Sequence, residues 1–350
     1  MRLFAALAGL CLILLVVRDL LWTTFLEGGG PLTTPVCSFL ARRVLAMHRR
    51  GKDGGKARCI IARAGLITVC ATLLMWGVIL WLGWGLIFNG SQTAVVGARS
   101  GSPADVWTRF YFAATTLATV GLGDYQPEGA FWQALTAVAG ASGFLLFTLA
   151  LSYIVPVVAA ATQKRQVALC IWSLGRTPTD IIVRAWNGAD TTALGPHLVA
   201  LTSMLALLGE SHVTYPVLHY FHSTKRSSAA APCVAALDEA LTILECGLQR
   251  GCSLDVPALG AARESITEFL NTLAPALIEP GSVNAALPSL QGLRDMGIPV
   301  VEDELFNAAL EGLGERRRLL LALVHNEGWE WETVWPAVGT SPTATATATA

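Results

Sequence analysis

Residues 119 to 124 are Thr-Val-Gly-Leu-Gly-Asp. Gly121 and Gly123 stand at alternate positions, and glycine takes backbone conformations closed to other residues. A strand built this way can turn successive carbonyl oxygens toward one axis. Several such strands around that axis stack rings of oxygen that replace the water shell of a cation. The carbonyls would come from Thr119, Val120, Gly121, Leu122 and Gly123, the Thr119 hydroxyl would add an innermost ring, and Asp124 would place a carboxylate at the far end. The chemistry is dehydration matched by fixed dipoles, and it uses no nucleophile, general base or metal-ligand spacing. Elsewhere no nucleophile and base stand at a convincing spacing, so an enzyme is not expected. His212, His219 and His222 gather with Glu210 around Tyr215-Pro216. That pattern fits structural histidines, or a metal- or proton-sensing group. Ser223 to Ser228 reads as a solvated loop that could receive a phosphate. The eight cysteines form no C-x-x-C pair and suit small buried hydrophobes in a reducing compartment.

The elements that position residues 119–124 are apolar. Of 350 residues 53% are hydrophobic and only 14% charged, the balance of a membrane protein with a soluble part attached. A net charge of -1 supplies no basic excess for nucleic acid. A transmembrane helix needs about 20 apolar residues, and three stretches reach that length: Leu3 to Leu26, Ala64 to Phe88 and Phe131 to Thr162. The first is expected to be a retained anchor, because bulky Trp22 to Leu26 and no small-residue cleavage site follow its apolar run. Arg18 and Asp19 interrupt it. They should snorkel at the cytoplasmic end or pair with another helix, and snorkelling is the preferred reading. Between the first two stretches lie Arg42, Arg43, Arg49, Arg50, Lys52, Lys56, Arg58 and Arg63, which place that loop in the cytoplasm. The N-terminus and the Asn89 to Tyr125 connection then lie outside, and Lys164-Arg165 inside. The basic loop could also bind anionic lipid.

Ser102-Pro103-Ala104-Asp105 offers a helix start, with Ser102 as N-cap and Pro103 at the first helical position. The expected helix runs to about Ala118, too short to cross a membrane. Non-helical backbone at membrane depth survives only where protein buries it or water lines it. A short re-entrant helix followed by Thr119 to Asp124, set between two spans, resembles the pore of potassium channels over roughly Ala64 to Thr162. The resemblance implies a selectivity filter at Thr119, Val120, Gly121, Leu122 and Gly123, with K+ as the permeant ion and no organic cofactor. It further implies support behind the filter from Asp124 and Tyr111, and a tetramer of the chain with three further copies of itself. Leu122, where many members carry Tyr or Phe, and Ala118, where a second Thr is common, depart from the pattern. In the third span Gly143 falls where related inner helices bend. Close packing of small residues explains it equally well, and Pro156 marks a second gating candidate. No span carries Arg at every third position, so a voltage sensor is not expected.

From about Leu169 the pattern changes to amphipathic segments with charged faces, whose apolar runs are expected to be too short to cross a membrane. Helices are expected near Ile181 to Trp186, Gly195 to Leu208, Val234 to Leu248, Pro257 to Leu273 and Val301 to Val324, with Thr177 opening the first. No G-x-G-x-x-G follows a strand pattern, which disfavours a nucleotide-binding regulator. The expected protein is an all-α integral membrane protein of the cell membrane. It has three transmembrane helices with a re-entrant pore helix and filter loop, plus a cytosolic helical domain. Its parts are an anchor and basic loop at 1–63, a pore domain at 64–165, a regulatory domain at 166–336 open to an unknown cytosolic ligand, and a disordered tail at 337–350. The alternatives are a poorly selective cation pore and a membrane-anchored sensor or interaction protein whose pore is vestigial.

Overall fold

The structure, a computed structural model, describes residues 2–25, 28–50, 63–249, 255–277 and 285–336. Lys52, Lys56, Arg58 and the tail from residue 337 lie outside the described residues. The chain divides into two compact units, the first made of Met1–Leu45, Ala64–Ala159 and Thr214–Val217. In it α1 (Arg2–Phe25) packs along α3 (Ala64–Phe88). α1 buries Gly9, Ile13, Val16, Leu20 and Thr23, the three- and four-residue spacing of one helix face, and exposes Leu3, Phe4, Leu7 and Leu14. Lipid is as apolar as leucine, so close van der Waals contact between backbones does the binding. The two helices meet at Gly9 and Gly83. A Cβ on Gly83 would come within 2.7 Å of the Ile13 side chain and 3.0 Å of the Gly9 carbonyl.

Asp19 does not snorkel, contrary to the preferred reading. It is fully buried in the first unit. Its Oδ1 accepts the N–H groups of Leu32 (2.6 Å) and Thr33 (3.2 Å), while Oδ2 accepts the Thr33 hydroxyl (2.7 Å) and the Trp76 indole N–H (2.7 Å). A charged carboxylate inside a spanning helix costs about 2.5–3.5 kcal/mol on insertion scales, and these four donors offset that cost. Arg18 faces outward, with its guanidinium 5.2 Å from the centroid of the Trp22 ring. The segment expected as a plain loop instead contains α2 (Thr33–Arg50). Gly28 and Gly29, at φ 87° and 76°, turn the chain back, and the Asp19 carboxylate holds the N–H groups where α2 begins.

α4 (Val106–Leu117) is followed by α5 (Gly129–Leu174), 46 residues long and unbroken at Pro156. Among the described residues, four helical stretches are long and apolar enough to cross a membrane: Leu3–Phe25, Ala64–Phe88, Gly129–Leu174 and Thr192–Thr214. The last departs from the expectation that no later run reaches that length. A 3-10 turn at Thr192–Leu194 leads directly into α7 (Gly195–Thr214), after α6 (Pro178–Ala185). One face of α7, Leu198, Leu201, Leu205 and Leu208, is buried, while Val199 and Leu207 are exposed. Its length and composition match a span, and its buried face is that of a helix packed on one side.

The second unit contains Ala160–Val213 and the chain from Leu218 onward. α6 begins on the expected box, with the Asp180 N–H donating to Thr177 Oγ1 (3.1 Å) and the Arg176 N–H to Asp180 Oδ2 (3.2 Å). The centre is α8 (Ala230–Thr242), buried along its whole length. α6, α9 (Val256–Leu277) and α12 (Gly314–Asn326) pack against it, while α10 (Gln291–Asp295) meets α6 and α11 (Asp303–Glu311) packs on the π-helical turn Ile243–Gly247. The single helix expected over 301–324 is thus two, parted at Gly312-Leu313. α8 carries two buried acids. Asp238 meets Arg263 at 2.8 Å and Arg316 at 2.6 Å, and Glu239 meets Arg317 at 2.8 Å and the Trp335 indole at 2.9 Å. Removing one partner from such a buried set costs about 3–5 kcal/mol, so these pairs fix how α9 and α12 dock on α8.

Candidate functional site

The site is the segment between α4 and α5. α4 starts later than Ser102-Pro103 suggests. Asp105 is the N-cap, its Oδ1 accepting the Thr108 N–H at 2.7 Å, and Pro103 instead bridges Val96 in the extended approach. Aromatic contacts with α3 seat the helix. The Trp81 indole donates to the Phe110 carbonyl at 2.8 Å, with the two rings 5.4 Å apart. Gly85 lies directly under the Phe110 ring, where any Cβ would overlap it. Phe88 packs edge-on to Phe112 at 5.3 Å and lies 6.3 Å from Trp132. Trp84 ties α3 to α5 through its indole N–H on Ser142 Oγ at 2.9 Å. A Cβ on Gly143 would collide with the Leu117 carbonyl, so that glycine lets α5 lie against the last turn of α4.

Residues 119–124 are pinned at both ends. The N–H groups of Thr119 and Val120 donate to the Thr116 and Thr115 carbonyls at 3.0 and 2.9 Å. At the far end the Ala98 N–H donates to the Asp124 carbonyl at 3.0 Å, and β1 (Val96–Gly97) pairs antiparallel with β2 (Tyr125–Gln126). Between the pins φ is positive at Thr119 (54°), Gly121 (61°) and Gly123 (77°), and at neither residue between them. Alternating left-handed residues cancel the usual reversal of carbonyl direction along a strand, which is the condition for oxygens on one side. A β-branched residue in the left-handed region costs about 1–3 kcal/mol and persists only where its surroundings over-determine it. The hydrogen bonds to the end of α4 supply that constraint at Thr119. Among the described residues, no backbone N–H donates to the carbonyls of Thr119 through Gly123.

The electrostatics suit a cation. The C-terminal end of α4, where the helix dipole leaves partial negative charge, leads into Thr119. At the far end the Tyr111 hydroxyl donates to Asp124 Oδ2 at 3.2 Å. Partial desolvation and the neighbouring carboxylate raise the Tyr111 phenol above its ordinary range, so it stays a donor. Tyr111 and Tyr125 stand edge to face at 6.3 Å. The predicted residues Thr119 to Asp124, Tyr111 and Gly143 therefore meet around one loop, and Pro156 lies further along α5. Asp105 as cap, the Trp81 and Trp84 hydrogen bonds and Gly85 were not foreseen. The tryptophans at 76, 81 and 84 within one apolar helix were the available signal.

In the second unit His212 and His219 lie 5.1 Å apart, and His222 lines the same cavity. Glu210 is exposed and does not line it. Among the described residues no group of three or more His, Cys, Asp or Glu side chains is arranged to hold a metal ion.

The family described as ion channel matches residues 66–160 of this sequence, from α3 through the part of α5 beyond Pro156. Uncharacterized membrane protein YdjJ of Bacillus subtilis (strain 168) is 33% identical over 337 residues, covering 95% of this chain and 96% of its own length. No solved structure matches the chain.

Proposed function

Because the chain belongs to the ion channel family whose pore domain is of the two-transmembrane potassium-channel type, we propose that it is one subunit of a K+-selective channel, passing K+ passively across the cell membrane. The observation that carries this reading is the alternation of positive φ at Thr119, Gly121 and Gly123 in a segment pinned at both ends. The carbonyls of Thr119 to Gly123 are the ion ligands, and Asp124 with Tyr111 stiffens the outer mouth. One chain supplies one strand and cannot encircle an ion. A lone subunit also leaves Val120 and Leu122 55% and 61% exposed and Trp107 77% exposed. These features favour a tetramer of identical chains in lipid. Gly143 and Pro156 are the gating candidates on α5. The N-terminus lies outside, and the helical part after residue 166 is a cytosolic regulatory domain.

Reconstitution tests the reading. Purified protein in liposomes should pass K+ far better than Na+ and should migrate as a tetramer. Equal permeability in single-channel reversal potentials would indicate a poorly selective cation pore, and no flux at all would leave the sensor or interaction protein as the better account.

A further inference from the structure

Lys164 stands on the C-terminal stretch of α5, and Glu327 caps the end of α12. The two form a buried ion pair at 2.6 Å, their side chains only 8% and 6% exposed. Lys164 Nζ also donates to the Phe221 carbonyl at 3.0 Å, and the second Glu327 oxygen accepts the Ala231 N–H at 3.2 Å. Above the pair lie His212, from α7, and His219 and His222, in and just after the 3-10 segment Pro216–Tyr220. The His212 ring lies tilted against His219 at 5.1 Å and edge-on to Phe269 of α9 at 5.6 Å. Its Nδ1 faces the Leu208 carbonyl at 2.8 Å. His219 Nδ1 is buried with no hydrogen-bond partner. The titratable groups lining this narrow cavity are one lysine, one glutamate and three histidines; α9 contributes Phe269 and Leu273 to its wall, and α12 adds Leu323 and Asn326.

We propose that Lys164, Glu327 and the three histidines form an acid-released latch, which joins the end of the pore-lining helix to the last helix of the C-terminal domain and makes K+ flux depend on cytosolic pH. The regulatory half of this inference rests on the channel reading above. Burial, and then the Lys164 charge, lower His212 well below the ordinary histidine value and lower His219 to about 3. Glu327 is lowered despite its burial, chiefly by Lys164. Its ionisation is thus lost only below the ordinary carboxylate range and does not act near neutrality.

With the latch shut, His212 and His219 stay neutral. Once it opens and they meet water, they bind protons near the ordinary value of about 6.5. The open form then holds more protons, so the open-to-shut ratio is flat well above that value and rises as pH falls through it. The limit is about tenfold per pH unit for each histidine. For two histidines the rise between about pH 6.5 and 5.5 is about thirtyfold.

The test uses full-length protein in liposomes with the pH of the solution facing the C-terminal domain varied. Hydrogen exchange of the segments containing Phe221 and Glu327, corrected for intrinsic rates, should lose protection about thirtyfold between about pH 6.5 and 5.5. His219→Phe should reduce this to about fivefold. K+ flux should change over the same window. A short bis-maleimide link in a Lys164→Cys/Glu327→Cys variant should abolish that change, and this keeps the test valid if His219→Phe fails to fold. Protection that does not vary with pH, or varies equally in the histidine variant, overturns the latch. A responsive latch with K+ flux indifferent to pH overturns its regulatory role. A responsive latch in liposomes that pass no K+ at any pH overturns the channel reading and leaves the latch standing.

Discussion

At the scale of residues, two glycines on one helix separate packing from bending. A Cβ at Gly143 meets the Leu117 backbone, whereas one at Gly140 would sit 3.8 Å from the Thr116 carbonyl, an ordinary contact. Gly143→Ala should therefore push α5 off the end of α4 and lower K+ flux by about tenfold or more, since about 1.4 kcal/mol of misplacement already gives that factor. Gly140→Ala should leave flux near that of the parent. Equal flux in the two variants, measured in liposomes at matched protein density, would show that the contact does not matter. Tyr111→Phe removes the donor to Asp124 while keeping the ring beside Tyr125. It should alter inactivation or open lifetime in single-channel records and leave the K+ to Na+ preference in place.

At the scale of elements, α1, α2 and α3 are held by one carboxylate. Asp19→Ala would strand the Trp76 indole, the Thr33 hydroxyl and two backbone N–H groups, at about 1–3 kcal/mol for each donor that water cannot reach. Thermal unfolding in detergent should show a large loss of stability for Asp19→Ala and a smaller one for Asp19→Asn, which keeps an acceptor. This junction also marks where the sequence falls silent. The Thr119 to Asp124 segment, the proposed filter, stands out in the sequence because its residues are consecutive, with glycines whose conformational freedom is local. Asp19 does not, because its indole partner is 57 residues away and an isolated acid beside an arginine resembles a helix-end charge. The same limit misplaced the start of α4. Ser102-Pro103 has the right composition, but pairing with Val96 keeps Pro103 extended. It also joined α11 to α12, since nothing local declares that Gly312 ends a helix instead of sitting inside one.

At the scale of the whole molecule, the segments that match the ion channel family end at residue 160, and the proposed conduction path is complete before Gln166. A chain ending there should still assemble and pass K+, with its response to acid removed because Glu327 and the histidines are gone. Assembly as a tetramer without any flux would make the C-terminal domain part of the permeation path. The stretch Thr192–Thr214 is long and apolar enough to cross a membrane, so sidedness after it needs its own measurement. A single cysteine at exposed Glu302 should react with an impermeant maleimide from the cytoplasmic side. Reaction from outside would place α7 across the bilayer and reverse the side of everything after it.

The carboxylate of Asp19 also sets an order of events during synthesis. The first helix can leave the ribosome and enter the bilayer before any of its donors exist, and Leu32 and Thr33 follow within 14 residues. Trp76 follows only 57 residues behind, which at about 5–20 residues per second is a wait of about 3–11 s. During that interval the nascent helix carries an incompletely satisfied acid, and it should slide toward the headgroups or recruit the translocon's polar lining. Stalled nascent chains ending before and after Trp76 should therefore differ in the depth at which Asp19 is reached by water-soluble reagents, with the final depth attained only in the longer chain.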